Sequence, residues 1–231
     1  PAMPLHAMEH QGALWVTGDD AMIARSTDGG GQWQILHLRQ FGAMLFALTL
    51  GEASELDAYG TDGAHWTSRD GGQTWREAKF DDRQGQLNAK GLASGVVYAQ
   101  AYSGPAASHD GGQHWRFGRE HSGLSQPFGL AVLNDTHAAM LDSAANDNFR
   151  WTNDGGKHWQ SAALSSEESW RSLVAVGGQY VLLGKREKGG PVEAKQGAAG
   201  RWEITNLKTD LTACTTEGCL ATGAGWSAIL G

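Results

Sequence analysis

Short apolar runs alternate with glycine-rich turns along most of this sequence. Between residues 44 and 80 the runs are Met44–Leu50, Leu56–Tyr59, His65–Ser68 and Trp75–Phe80. Runs of this length bounded by glycines predict short β-strands joined by tight turns. A second series, between residues 128 and 163, has the same form. The pattern therefore predicts an all-β protein with about four strands per structural unit.

One motif, Ser/Thr-x-Asp-Gly-Gly-x-x-Trp, occurs four times. Its tryptophans lie 42, 40 and 44 residues apart, and Trp202 follows 43 residues after the last without the motif before it. The residues that define the four copies are Ser26, Asp28, Gly30, Trp33; Ser68, Asp70, Gly72, Trp75; Ser108, Asp110, Gly112, Trp115; and Thr152, Asp154, Gly156, Trp159. Four short strands in about 42 residues are typical of a β-propeller blade.

The motif is the Asp-box, also called the BNR repeat, and its chemistry is local. The aspartate and the hydroxyl can bond to backbone groups of their own turn. The glycines permit the positive φ that a hairpin turn requires, and the tryptophan covers the turn with an apolar face. We therefore predict that these aspartates are structural and not catalytic.

The repeat predicts one β-propeller over residues 1–231, built from four-stranded antiparallel blades. The predicted blades are 1–38, 39–81, 82–121, 122–164 and 165–208, with an incomplete blade at 209–231. Six blades is the prediction, and seven is the alternative if the natural chain is longer.

Composition and charge exclude several function classes. The chain has 33 glycines among 231 residues and a formal net charge of −7. That charge argues against binding to nucleic acid or to an anionic membrane. The longest apolar run, Ala43 to Leu50, suits one strand and not a membrane span. We find no residues that predict a metal site or a cofactor, and the glycine pairs lie in box turns and not in a phosphate-binding loop.

Two cysteines, Cys214 and Cys219, flank a predicted tight turn. Such a hairpin can bring two Cβ atoms close enough for a disulfide bridge, but two reduced, buried thiols fit the sequence equally well. No signal peptide opens the chain at Pro1. It is therefore either cytosolic or a mature secreted protein whose signal has been removed.

The blade pattern resembles one family more closely than the general Asp-box class. The segments 14–20 and 58–63, each followed by a box, are similar to units of the Ycf48/HCF136-like photosystem II assembly factors and their bacterial relatives. The resemblance covers nearly the whole chain. It implies a periplasmic or lumenal propeller that binds other proteins during the assembly of a membrane protein complex. With this resemblance we predict a non-enzymatic scaffold that is periplasmic or secreted. Photosynthetic members use a basic patch, for which this acidic chain has no obvious equivalent.

The alternative is a carbohydrate-binding or sialidase-like propeller, because sialidases also carry Asp-boxes. That family requires an arginine trio, a tyrosine nucleophile paired with glutamate, an aspartate acid/base and a Phe/Tyr-Arg-Ile-Pro segment. No such segment exists here, and the one tyrosine late enough to be the nucleophile, Tyr180, lies in an apolar strand. A protein partner is therefore the prediction, and a glycan ligand stays open.

A propeller geometry also predicts where a partner binds. Loops that enter the innermost strands would bring basic and aromatic side chains to one mouth of the channel, and such groups are frequent interface hot spots. The residues in question are Arg39, Phe41, Lys90, Phe128, Trp170 and Arg171. In the alternative interpretation, the aromatic side chains pack between blades and the charged ones are solvated.

Overall fold

The computed structural model describes most of the chain, and the described part consists of strands and turns. The described residues are 3–38, 42–50, 55–78, 86–92, 94–101, 104–118, 127–142, 149–164, 167–186, 191–196, 202–206, 210–215, 218–223 and 226–230. Among them no helix has the length and the apolar character that crossing a membrane would need. The chain divides into two compact units, Pro1–Gly123 and Leu124–Gly231.

The first unit contains three four-stranded antiparallel sheets. The first sheet comprises β1 (Pro4–His10), β2 (Ala13–Gly18), β3 (Met22–Ser26) and β4 (Gln34–His37). The second comprises β5 (Leu45–Leu50), β6 (Leu56–Gly60), β7 (His65–Ser68) and β8 (Arg76–Glu77). The third comprises β9 (Gln86–Gly91), β10 (Val97–Ala101), β11 (Gly104–Ser108) and β12 (Arg116–Phe117).

The second unit repeats this arrangement and adds a three-stranded sheet. The fourth sheet comprises β13 (Pro127–Val132), β14 (Ala138–Asp142), β15 (Phe149–Thr152) and β16 (Gln160–Ala162). The fifth comprises β17 (Glu168–Val176), β18 (Gln179–Arg186), β19 (Pro191–Gln196) and β20 (Trp202–Asn206). The sixth comprises β21 (Asp210–Thr215), β22 (Gly218–Gly223) and β23 (Trp226–Leu230).

The six sheets share one internal plan. In each sheet, strands adjacent in sequence pair antiparallel, and the pairing of the first two strands contains a register shift, as between Pro4 and His6 or between Leu45 and Ala47. A shift of this kind marks a β-bulge, which bends the strand locally. The prediction of an all-β chain of four-stranded antiparallel sheets is confirmed, whereas the blade number and the single ring stay predictions.

The core of each unit lies between sheets, so the inner strands are buried on both faces. In the first unit, β6 and β10 are buried along their whole length. Alanines such as Ala58, Ala99 and Ala106 let the sheets approach closely, and Trp15 and Leu45 fill the larger spaces. The outer strand β4 is exposed throughout. The box turns connect the third and fourth strands of the first four sheets, and their position next to a neighbouring sheet defines the site below.

Candidate functional site

The four Asp-box segments form the same hydrogen-bonded turn. In each, the Ser or Thr hydroxyl donates to the aspartate Oδ1 at 2.8–2.9 Å and accepts the backbone N–H of the second glycine at 2.8–2.9 Å. The same Oδ1 accepts the backbone N–H of the residue before the tryptophan at 2.8–3.0 Å. These bonds use the carboxylate to satisfy backbone donors of its own turn.

Hydrogen bonding also keeps the box aspartates charged. The side chain and the backbone N–H of Thr74 lower the pKa of Asp70 to about 2. Burial raises the pKa of Asp110, but bonds from His114 and Ser108 outweigh it and bring the value to about 2. A carboxylate that accepts several donors has its ionised form stabilised. The box turns therefore carry permanent negative charge.

A cleft of about 570 Å³ lies in the first unit, between the second sheet and the box turn of the third. We call it the Asp57–His65 cleft. Strands β6 and β7 supply Asp57, His65 and Thr67, and residues 109–113 of the box turn form the facing wall. The charged and hydroxyl-bearing side chains that line it are Thr49, Glu55, Asp57, His65, Thr67, Arg69, Ser94, His109 and Asp110.

A buried carboxylate–imidazole pair forms the floor of this cleft. Asp57 Oδ1 lies 2.8 Å from His65 Nε2, and the side chains are 10 % and 3 % exposed. A carboxylate buried to this degree is costly unless it is paired. Because Asp57 can only accept this bond, we assign the Nε2 proton to His65, which makes its Nδ1 an acceptor in the neutral ring.

Aromatic packing holds the imidazole in place. The ring of Tyr59 stacks on that of His65, with 4.4 Å between centroids and 24° between planes. Burial, with a contribution from the Asp57 charge, raises the pKa of Tyr59 well above its ordinary value. Across the cleft, a Cβ added at Gly112 would lie 2.7 Å from Tyr59 Oη and 3.3 Å from His65 Cε1. The box turn therefore approaches the pair through a position that has no side chain.

The rim of the cleft carries an exposed ion pair. Arg69 Nε lies 3.4 Å from Glu55 Oε1, with side-chain exposures of 74 % and 39 %. Counting Asp57 and Asp110, the lining contains three carboxylates and one guanidinium. The arrangement is an acidic cleft with a buried carboxylate at its floor and an exposed arginine at its rim.

The equivalent groove of the first sheet has a different filling. Strand registers make Trp15 equivalent to Asp57, Ile23 to His65 and Arg25 to Thr67. Trp15 is 3 % exposed and contacts Gly72 of the next box turn. The Arg25 guanidinium lies over the Trp15 ring, 5.3 Å from its centroid. The groove that remains measures about 320 Å³.

Sequence reasoning missed the Asp57–His65 pair, although it placed both residues in strands. The signal was an acidic residue inside a predicted apolar strand, at the position that Trp15 occupies one repeat earlier. Two box turns, at Gly72 and Gly112, face the preceding sheet and thus form one wall of each groove.

The predicted channel-mouth residues fall into three groups. Arg39 and Phe41 lie outside the described residues, and Phe128 and Arg171 lie on β13 and β17 with side chains outside the described part. Lys90 is half-buried on β9, and burial lowers its pKa. Trp170 is 6 % exposed and packs in the core of the second unit. The channel mouth as a partner site stays a prediction.

The structure also places the two cysteines and Tyr180 on strands. The register of β21 and β22 places Cys214 opposite Cys219, and a disulfide and two reduced thiols stay the two alternatives. Tyr180 lies on β18, buried in the core of the second unit with its ring at an angle of 69° to Phe149. No group of three potential metal ligands occurs in the described residues.

Comparison with known proteins identifies fold neighbours. No family model and no curated protein matches the sequence. Among solved structures, Ycf48 bound to a D1 peptide is similar with a TM-score of 0.70 and 17% identity, over 96% of this chain and 78% of that one. Ycf48 from Cyanidioschyzon merolae gives a TM-score of 0.70 and 14% identity, over 95% of this chain and 79% of that one.

A glycoside hydrolase is also similar in fold. The GH74 enzyme of Niastella koreensis gives a TM-score of 0.68 and 15% identity, over 96% of this chain and 41% of that one. This chain thus spans less than half of the hydrolase. Identities this low establish architecture and leave function to be argued from the site. The chain has a β-propeller fold similar to that of Ycf48.

Proposed function

We propose that this protein is a non-enzymatic propeller that binds a segment of another protein, and that the Asp57–His65 cleft receives this segment. One observation carries the proposal: a cleft of about 570 Å³ has a buried, charged floor next to a box turn. A cleft in which a few polar groups converge is the usual form of a binding site. A fold neighbour, Ycf48, was solved with a D1 peptide, which supports a polypeptide ligand.

The finer proposal is a role in assembling a membrane protein complex, in the periplasm or after secretion. It rests on the resemblance of the repeats and on the fold neighbours. Fractionation of the native host would test the location. Recovery in the cytosol would contradict it.

A peptide-display selection would test protein binding directly. The library is made from fragments of the host's own proteins, and the bait is the full chain. We expect enrichment of overlapping fragments of a few proteins, with binding of their synthetic peptides confirmed by calorimetry. Asp57→Asn should weaken that binding, and Glu9→Gln, which removes one exposed charge in the first sheet, should not. Failure to enrich any overlapping fragments would contradict the proposal.

The second candidate is carbohydrate binding or hydrolysis. The GH74 neighbours and the presence of Glu55 and Asp57 in one cleft favour it. However, each carboxylate is engaged, Glu55 with Arg69 and Asp57 with His65. Incubation with xyloglucan, the substrate named for a GH74 xyloglucanase from Xanthomonas campestris of similar fold, followed by measurement of reducing ends and of oligosaccharide binding, distinguishes the two functions. Activity that is lost in Asp57→Asn would support the hydrolase.

A further inference from the structure

We propose that the Asp57–His65 cleft recognises a basic side chain, arginine or lysine, of the bound polypeptide. This inference rests on the proposed function, since it names the chemistry of the partner at the same site. Three features carry it: an incompletely bonded carboxylate, an excess of acceptors, and the way the equivalent groove is filled.

Asp57 has bonding capacity left. The residue is 7 % exposed, and its carboxylate bonds to His65 through Oδ1. Among the described residues, Oδ2 accepts no hydrogen bond, and Asp57 lines the cleft. An ionised carboxylate has about four acceptor positions, and Oδ2 is not among the fully buried atoms without a partner, so a ligand can reach it. A cationic donor that enters the cleft would satisfy Oδ2.

The floor of the cleft contains acceptors and lacks a matching donor. His65 Nε2 donates to Asp57, and Nδ1 is buried with no partner in the described part of the chain. The pair therefore presents no free N–H of its own to a ligand. A ligand that supplies donors fits this floor, whereas a ligand carboxylate would meet the charge of Asp57.

The charge around the floor has the same sign. Asp110 stays ionised because its turn satisfies it, and Glu55 adds a third carboxylate beside its Arg69 partner. The whole chain carries a formal charge of −7. Local and overall fields therefore both favour the approach of a cation.

The first groove contains an internal example of the proposed ligand. There the chain's own guanidinium, that of Arg25, lies in the groove over Trp15. The equivalent position in the second sheet is Thr67, whose short side chain leaves the space open. A basic side chain of a partner would thus occupy the place that Arg25 occupies one sheet earlier.

The test uses capped pentapeptides, acetyl-Gly-Gly-X-Gly-Gly-amide, with X as arginine, lysine, citrulline or norleucine. Binding to the full chain is followed by NMR shifts of the Gly111 and Gly112 amides. We expect the arginine and lysine peptides to bind roughly tenfold or more tightly than the neutral ones, as loss of a charged hydrogen bond implies. Equal shifts with citrulline, or no shifts with any peptide, would overturn the inference.

Two variants and one control locate the site. Asp57→Asn should remove the preference for cations, and Glu9→Gln should keep it. Thr67→Arg keeps Asp57 and supplies an internal cation, so it should block the basic peptides even if Asp57→Asn folds poorly. Display selection separates the two proposals: enriched fragments without basic residues would refute the cation inference and leave protein binding standing.

Discussion

Two neighbouring grooves of the first unit are built on one backbone plan and filled in opposite ways. In both, the second and third strands of a sheet face the box turn of the next sheet. The first groove contains an indole and the chain's own guanidinium. The second contains a buried carboxylate–imidazole pair and is nearly twice as large, at about 570 against 320 Å³.

The difference separates what the repeat requires from what one copy adds. The box turn, its glycine next to the preceding sheet, and the strand registers occur in both grooves. The pair Asp57–His65 replaces an apolar filling that would stabilise the unit, which is the kind of substitution expected at a functional position. The first groove therefore serves as the structural reference for the second.

Truncating the indole should have the largest effect. Trp15→Ala removes a large side chain that is 3 % exposed, from the core shared by the first two sheets. Such truncations cost about 3–5 kcal/mol, since the cavity does not refill. Chemical denaturation should show this loss, whereas Trp33→Ala, at a position 40 % exposed, should cost about 1 kcal/mol. Equal losses would contradict the role of Trp15 as groove filler.

Adding one methyl group to the box turn should have the next largest effect. Gly72 has φ +81°, and a Cβ there would overlap the Trp15 ring. Strain and overlap together predict a loss of about 3 kcal/mol for Gly72→Ala. Its neighbour Gly71 has φ +69° with open space around it, so Gly71→Ala should cost only about 1 kcal/mol. Equal stability of the two variants in denaturation would show that the close approach of Gly72 to the Trp15 ring does not contribute to stability.

Breaking the Asp57–His65 pair in the second groove should cost less than truncating Trp15. Asp57→Ala leaves His65 buried without its acceptor, which predicts a loss of about 2 kcal/mol. Replacing both partners by apolar residues, Asp57→Leu with His65→Ile, should recover part of this loss, because no buried polar group is then left unsatisfied. Denaturant midpoints of the three proteins measure this. A double variant less stable than Asp57→Ala would show that the pair stabilises the fold.

Much of the architecture could be predicted because it is repeated. The Asp-box period predicted the strands and the four-stranded sheets, and the box residues make the expected local bonds. The cleft could not be found this way, because it depends on a departure from the repeat at Asp57 and on which strands face the next turn. Trp170 shows the limit in another way: it was predicted at the channel mouth, with packing between blades as the alternative, and its indole is buried in the core of the second unit.

Acidification should produce the smallest change in stability. It should act on both grooves, because one wall of each is a box turn that contains an ionised aspartate. Asp70 and Asp110 have pKa values of about 2, below the ordinary carboxyl value of 3.8. A depressed carboxylate pKa stabilises the fold above about pH 4, and this contribution is lost as the pH falls towards 2. The contribution of these groups to the free energy of unfolding, measured in urea, should therefore be nearly constant from pH 7 to 4 and decrease below pH 4. Asp70→Asn should have a lower free energy of unfolding at pH 7, and that free energy should fall less steeply below pH 4 than in the native protein. An equal fall in both proteins would show that the Asp70 carboxylate does not contribute to stability.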